Sequence, residues 1–330
     1  MKLASLRSGR DGELIVVSRD LSRAVKAAPI ASTMQQVLDN WGIVEPRLQR
    51  LYAELNAGEC DGQFTLDVEV LSAPLPRSYQ YLDGAAYLSH IRRNRAARGE
   101  PLPDDLLDKP LVYQGISHGF LGWNEDVALP SEDLGIDFEA EIAAITGDVP
   151  MGVSAEAACE HIRLFVLLND VSLRSVIPGE LRRTFGFLIG KPASSMGPIA
   201  VTPDELGQLW VGCLVGGTMQ CWVRGEQVGR IETGIDTPFH YGHLIAYAAQ
   251  TRAFEPGTIV GLGTVSNEDE SAGCGCIGEI RALETLNHGK ITTPLLRFGE
   301  RIKIEHIDRN GQTVFGCIDQ RFVRMAPLQA

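Results

Sequence analysis

The chain has 330 residues, 44% apolar and 22% charged, with a formal net charge of −12. That length can bury a full core as one large domain or two unequal ones, and the acidic balance argues against nucleic acid and anionic membrane as partners. The first ten residues lack the apolar run of a secretory leader, and no stretch reaches the roughly eighteen apolar residues that span a bilayer. Seven cysteines, an odd number without framework spacing, complete the expectation of a soluble, reduced, cytoplasmic protein.

In chain order, Lys2 to Leu6 and Leu14 to Ser18 read as strands joined by the turn Ser8-Gly9-Arg10-Asp11-Gly12. Ser32 or Thr33 caps a helix running through Trp41 and broken near Gly42. A second helix starts after Pro46, carries Leu48, Leu51, Tyr52 and Leu55 on one face, and ends before Gly58. Leu66-Asp67-Val68-Glu69-Val70-Leu71 alternates as a strand, and Ala73-Pro74-Leu75-Pro76 has the composition of a linker. The chain therefore divides into a small α/β unit of residues 1–75 and a larger unit of residues 76–330.

The larger unit reads mostly as strands, over 111–114, 127–129, 136–145, 198–201, 210–223, 227–233, 258–262, 275–283, 300–306 and 313–317. Gly225-Glu226 and Asn310-Gly311 are hairpin-turn candidates. Helices are expected to be few: Ala155 to Asn169, capped by Ser154, and His240 to Thr251. The fold class is α+β and β-rich.

The most distinctive stretch is Asp137-Phe138-Glu139-Ala140-Glu141. In a strand, its three carboxylates share one face, and neighbours two residues apart sit about 6.5–7 Å from one another, close enough to converge on one cation. All-oxygen ligands select a hard ion. An edge strand with a solvated acidic face is the alternative. Asp170, closing the apolar run Leu164 to Leu168, can join the carboxylates, with Arg174 four residues on to fork an anion. Asp83, read as opening a helix, would place His90 two turns later on the same face, just before the basic stretch Arg92 to Arg98. Gly190-Lys191 is no phosphate loop, and Gly261-Leu262-Gly263-Thr264 lacks the third glycine of a dinucleotide fingerprint. His240 and His243 with Cys274 and Cys276 could be imagined as a zinc site, but Cys-x-Cys is not the usual spacing.

Taken in order, Asp83…His90, Tyr113-Gln114-Gly115, Glu139-Ala140-Glu141, Asn169-Asp170-x-Ser172-x-Arg174, Gly190-Lys191, Gly263-Thr264-Val265-Ser266 and Glu279 resemble the fumarylacetoacetate hydrolase family from about Leu75 onward. The resemblance implies a mixed β-roll catalytic domain, usually dimeric, with magnesium or calcium (or manganese) held by Asp83, Glu139, Glu141 and Asp170. It makes His90 the general base, oriented by Glu279, with Arg174 and Lys191 stabilising the oxyanion and enolate. Tyr113 and Thr264 would contact substrate, Arg98 would bind it after the catalytic histidine, and Ser195 would stand near the cation.

The implied substrate is a β-diketo acid, foremost fumarylacetoacetate, split at a carbon–carbon bond into two acids. Two positions depart from the family hydrolase: Ala85 stands where a substrate-contacting tyrosine is expected, and Ile177 where a glutamine is expected. A decarboxylase, isomerase or hydratase on the same site is one rival reading. A non-catalytic binding protein with a structural cation is another.

Overall fold

Residues 1–326 are described by a computed structural model of the chain. The architecture is α+β and strand-rich. Among the described residues, the strands form one eleven-stranded sheet, a five-stranded sheet packed against it, and two small two-stranded sheets. The large sheet is mixed: Ile259–Gly261 pairs parallel with Tyr81–Gly84, and its other partner, Ala140–Thr146, runs antiparallel.

The central strand is Ile162–Asn169. The sequence predicts a helix over 155–169. Only Ala155–Ala158 is α-helical, capped by the Ser154 hydroxyl, which accepts the Ala157 N–H. Leu164, Val166 and Leu168 enter the core cluster on one side of the sheet, while Phe165 and Leu167 enter the cluster on the other. A strand covered on both faces shows an unbroken apolar run, the one pattern that periodicity cannot separate from a buried helix. Each of these side chains contributes about 1.5–3 kcal/mol by burial.

The amino-terminal strands extend the same sheet. Lys2–Leu6 pairs with Glu13–Val17 on one side and with Ala200–Val201 on the other. Arg23–Lys26 forms a further strand, absent from the sequence reading. The first helix is Met34–Asp39, capped by Thr33, and the second begins at Trp41 and continues through Gly42 and Pro46 to Ala57. Pro46 lies inside the helix, two residues after its ladder of bonds begins at Val44, and leaves the Gly42 carbonyl without an intrahelical donor. Gly58 closes the helix at φ 77°, as its left-handed cap requires.

Two other expectations are corrected. The stretch 66–71 is not a strand: Asp67 accepts the Glu69 N–H and turns Val68–Val70 into a short 3₁₀ helix, the local bonding by which Asp competes with a ladder. Residues 275–283 are not a strand either, because Ile277–His288 is a helix. Its start is set from a distance, since Asp137 Oδ1 accepts the Ile277 N–H at 2.9 Å and Oδ2 the Gly278 N–H at 2.7 Å. A carboxylate there satisfies orphan donors and opposes the helix dipole.

The cysteines also depart from the reduced expectation. Cys159 and Cys213, 54 residues apart, form a disulfide. No sequence spacing announces a pair that only the packing of distant elements creates. Among the described residues, no helix is long and apolar enough to cross a membrane.

Candidate active site

A cavity of about 840 Å³ opens where the strands Tyr81–Gly84 and Ala140–Thr146 meet the helix Leu88–Ala97. Asp83 lies on the strand, not at a helix start; the turn after it carries the chain into the helix that bears His90. Asp83, Glu141 and Asp170 converge, each offering an oxygen within 4.8 Å of the others, and all three are buried. Gly261 makes the approach possible: a Cβ there would lie 2.0 Å from Asp83 Oδ1 and 3.1 Å from Glu141 Oε2.

Asp83 Oδ1 and both Glu141 oxygens are buried without a hydrogen-bond partner. Burial, reinforced by the Asp170 charge, holds the Asp83 carboxyl well above its ordinary pKa. Glu141 is raised likewise, by burial and then by Asp83 and Asp170. Orphaned buried acceptors cost about 1–3 kcal/mol each, more when charged. A hard divalent cation, bonded to oxygens at about 2.0–2.6 Å, removes that cost and the mutual repulsion together. The donor set therefore fits magnesium, calcium or manganese.

Glu139 is placed differently from the other three. Its Oε1 accepts from Arg174 NH2 at 2.7 Å and its Oε2 from Lys191 Nζ at 2.6 Å. Burial works against its ionisation, but Lys191 and Arg174 outweigh it and hold the carboxyl well below its ordinary pKa. Lys191 has all three donors engaged, on Glu139, on Asp170 Oδ2 at 2.5 Å and on Ser172 Oγ at 2.8 Å. Arg174 gives Nε to Asp137 and NH2 to Glu139, and its guanidinium faces the cavity. Asp137, expected beside Glu139 on one acidic face, instead ties Arg174 to the start of the Ile277–His288 helix.

His90 Nδ1 stands 2.8 Å from Glu279 Oε2. The other oxygen, Oε1, accepts from Arg93 NH1 and from Ser266 Oγ, both at 2.6 Å. Burial raises the Glu279 carboxyl, yet the bonds from His90, Ser266 and Arg93 overcome it and leave the group below its ordinary pKa. An ionised carboxylate only accepts, so Nδ1 donates, and in the neutral tautomer that this bond selects the lone pair falls on Nε2. Glu139 also offers an oxygen within 4.8 Å of a His90 ring nitrogen.

Tyr113 and Thr264 line the cavity, and the Tyr113 hydroxyl donates to Asp170 Oδ2 at 2.6 Å. Arg98 does not reach it. It caps the end of its helix and pairs with Glu100 at the surface, so Arg95, one turn earlier, is the arginine of that helix on the cavity wall. Ser195 is likewise displaced by its neighbour: Ser194 Oγ donates to Asp170 Oδ1 at 3.0 Å, while Ser195 Oγ is buried without a partner. Alternation along an extended segment puts adjacent residues on opposite sides. Ala85 and Ile177 both line the cavity.

The roles of Arg93, Ser266 and Ser194, and the helix-starting role of Asp137, are not read from the sequence. Arg93 left a signal in lying three residues after His90 and so on the same helical face, and Ser266 in closing the motif Gly263-Thr264-Val265-Ser266. Cys274 and Cys276 do not join His240 in any cluster of potential ligands among the described residues, which removes the imagined zinc site; Cys159 and Cys213 do.

A buried carboxylate array beside a histidine bonded to a further carboxylate makes a candidate cation site. The chain belongs to the fumarylacetoacetate hydrolase family: the model of the family's carboxy-terminal domain matches residues 80–323, and that of fumarylacetoacetase amino-terminal domain 2 matches residues 1–77. Among curated relatives, it is 26% identical over 184 residues to the mitochondrial oxaloacetate tautomerase FAHD2B of Homo sapiens, covering 55% of this chain and 54% of that protein. It is 29% identical over 170 residues to 2,4-didehydro-3-deoxy-L-rhamnonate hydrolase of a Sphingomonas species, covering 50% and 54%. The chain thus spans about half the length of each. Maleylpyruvate hydrolase from Sphingobium sp. SYK-6, solved with manganese(II) and pyruvate, shares the fold at a TM-score of 0.65 and 18% identity, over 99% of this chain and all of that one.

Proposed function

We propose that this chain is a divalent-cation-dependent hydrolase that cleaves a carbon–carbon bond in a β-diketo acid, foremost fumarylacetoacetate, giving fumarate and acetoacetate. The observation that carries the reading is the His90–Glu279 pair, 2.8 Å apart, opening on the same cavity as Asp83, Glu141 and Glu139. Asp83, Glu141 and Asp170 would hold the ion, with Glu139 at the edge of the set. Magnesium, calcium or manganese, when bound, supplies Lewis-acid polarisation of the substrate's chelating oxygens.

The chain's own groups do the rest. His90 Nε2 takes a proton from water, and Glu279 stabilises the imidazolium that results. The hydroxide adds to the carbonyl, and the electron pair of the breaking carbon–carbon bond leaves as an enolate. Arg174 holds the developing negative charge, and Lys191 adds its positive field from behind Glu139 and Asp170. The imidazolium returns its proton to the departing carbon. Tyr113, Thr264 and Arg95 contact the substrate. The enzyme works as a homodimer in the cytoplasm.

A second reading, isomerisation or tautomerisation of a keto acid, is favoured by Ala85 and Ile177 on the cavity wall, where the family hydrolase would carry polar groups. Loss of β-diketone ultraviolet absorbance is the test, run on fumarylacetoacetate and shorter acylpyruvates with and without chelator. Products are then identified by NMR. Two acids support hydrolysis; a product of unchanged mass supports the second reading.

A further inference from the structure

The cysteine–histidine cluster at the start of the Tyr241–Ala248 helix lies outside the chemistry above. Cys159 follows the short Ala155–Ala158 helix, and Cys213 sits at φ 63° in the turn between Trp210–Val211 and Leu214–Val215. The Cys213 carbonyl accepts the Tyr241 N–H, tying that turn to the helix. His240 caps the helix, and its Nδ1 lies 3.9 Å from Cys159 Sγ. Both sulfurs and a His240 ring nitrogen fall within 4.8 Å of one another.

The surroundings hold this arrangement in place. The His243 ring lies against that of His240, centroids 3.8 Å apart, and its Nδ1 accepts the His240 backbone N–H at 3.2 Å. A Cβ on Gly242 would come 2.7 Å from Cys159 Sγ and 2.0 Å from the Ala155 carbonyl oxygen, so only glycine lets the helix start against the sulfur. None of these groups takes part in the carboxylate array or in the His90–Glu279 pair.

We propose that, once the disulfide is reduced, Cys159, Cys213 and His240 form a binding site for a soft divalent cation, zinc, distinct from the hard-ion site at the carboxylates. Thiolate and imidazole ligands select zinc over magnesium, calcium or manganese. In a zinc tetrahedron with bonds of about 2.3 Å to sulfur and about 2.0–2.1 Å to nitrogen, the sulfur–sulfur edge is about 3.8 Å and the sulfur–nitrogen edge about 3.6 Å. The 3.9 Å approach of Cys159 to His240 comes within about 0.3 Å of the second edge. With the two Cα atoms 5.9 Å apart, rotation of the cysteine side chains supplies the first. Solvent takes the fourth position.

Two electrons and two protons from a dithiol open the disulfide and leave the reductant as its own disulfide. Zinc then displaces the two thiol protons to solvent. The same helix carries Tyr247 and Ala248 to the wall of the catalytic cavity, so the site stands at the far end of an element of that wall.

Cobalt(II) serves as the spectroscopic probe. The full chain is reduced with a phosphine, kept in excess magnesium to fill the carboxylate site, loaded with cobalt and freed of excess by gel filtration. One bound cobalt per chain with a sulfur-to-cobalt charge-transfer band, bleached by zinc, is expected. The band is expected to be absent from the oxidised protein and from Cys213→Ser, and His240→Ala to weaken affinity at least tenfold. Reduced wild-type protein that is folded by circular dichroism but shows no such band overturns the proposal. So does a band that survives in Cys213→Ser, or bound cobalt without sulfur character.

Discussion

Glu279→Gln tests the catalytic reading most directly, because it keeps the side chain's volume and removes its charge. Glu279 is fully buried and accepts from His90, Arg93 and Ser266 at 2.8, 2.6 and 2.6 Å. The amide leaves Arg93, itself only 9% exposed, as a buried cation without its counter-ion. Breaking such a pair costs about 3–5 kcal/mol, and Arg93 keeps bonds to Ser266 Oγ and the Glu268 carbonyl that hold the loss toward the lower end. At His90, the amide no longer enforces the tautomer or stabilises the imidazolium, and the loss in kcat is expected at about 10²–10⁴-fold.

His90→Gln is the control. It removes the base but leaves the Arg93–Glu279 pair, so turnover falls comparably while stability changes by about 1 kcal/mol or less. Chemical denaturation and steady-state kinetics on one β-diketo acid measure both quantities for both variants. A Glu279→Gln enzyme that loses stability yet keeps kcat within about threefold would falsify the orienting role and leave Glu279 a structural counter-ion.

The remaining predictions concern the cation and the sheet. Glu141→Asn or Asp83→Asn removes one charge from the array, so cation affinity by calorimetry drops at least a hundredfold, about 2.8 kcal/mol, while the cation-free protein gains stability because repulsion is relieved. Asp83 and Glu141 have folded-state pKa values above their unfolded ones. The folded chain therefore keeps protons that the unfolded chain releases, and cation-free stability falls as pH rises above about 4. Saturating cation should flatten that slope, and a cation-free profile that rises through the same window would refute the assignment. Finally, we propose 75/76 as the boundary between two sequence units of which the larger does not fold alone. Without residues 1–75, Ala200–Val201 loses its Lys2–Leu6 partner and Leu164, Val166 and Leu168 lose their apolar cover. The 76–330 fragment should aggregate on expression, and a soluble, cooperatively melting fragment would contradict this.

Much of the candidate site was legible in the sequence because motifs name residue types in a particular order. Asp83, His90, Glu141, Asp170, Arg174, Lys191, Thr264 and Glu279 could be named from motifs, as could the alternation that turns Glu139 and Glu141 the same way. Local signals also sufficed where the physics is local: a cap at Ser32 or Thr33, which falls to Thr33, Ser154 as a cap, a helix end at Gly58, and the second strand of the hairpin 217–233, whose first strand begins at Gly217 and not at Trp210. Tertiary structure decided the rest. The run Leu164 to Leu168 became a strand only because both faces of the sheet are covered. The Ile277–His288 helix starts where the Asp137 carboxylate, 140 residues away, meets its first N–H groups. Arg95 displaced Arg98, and Ser194 displaced Ser195, because helix phase and strand alternation are set by packing to the residue. The Cys159–Cys213 pair arises from two segments that share nothing in sequence except the helix both pack against. Residue chemistry can be read from order and spacing, but which groups share a face depends on contacts made across the whole chain.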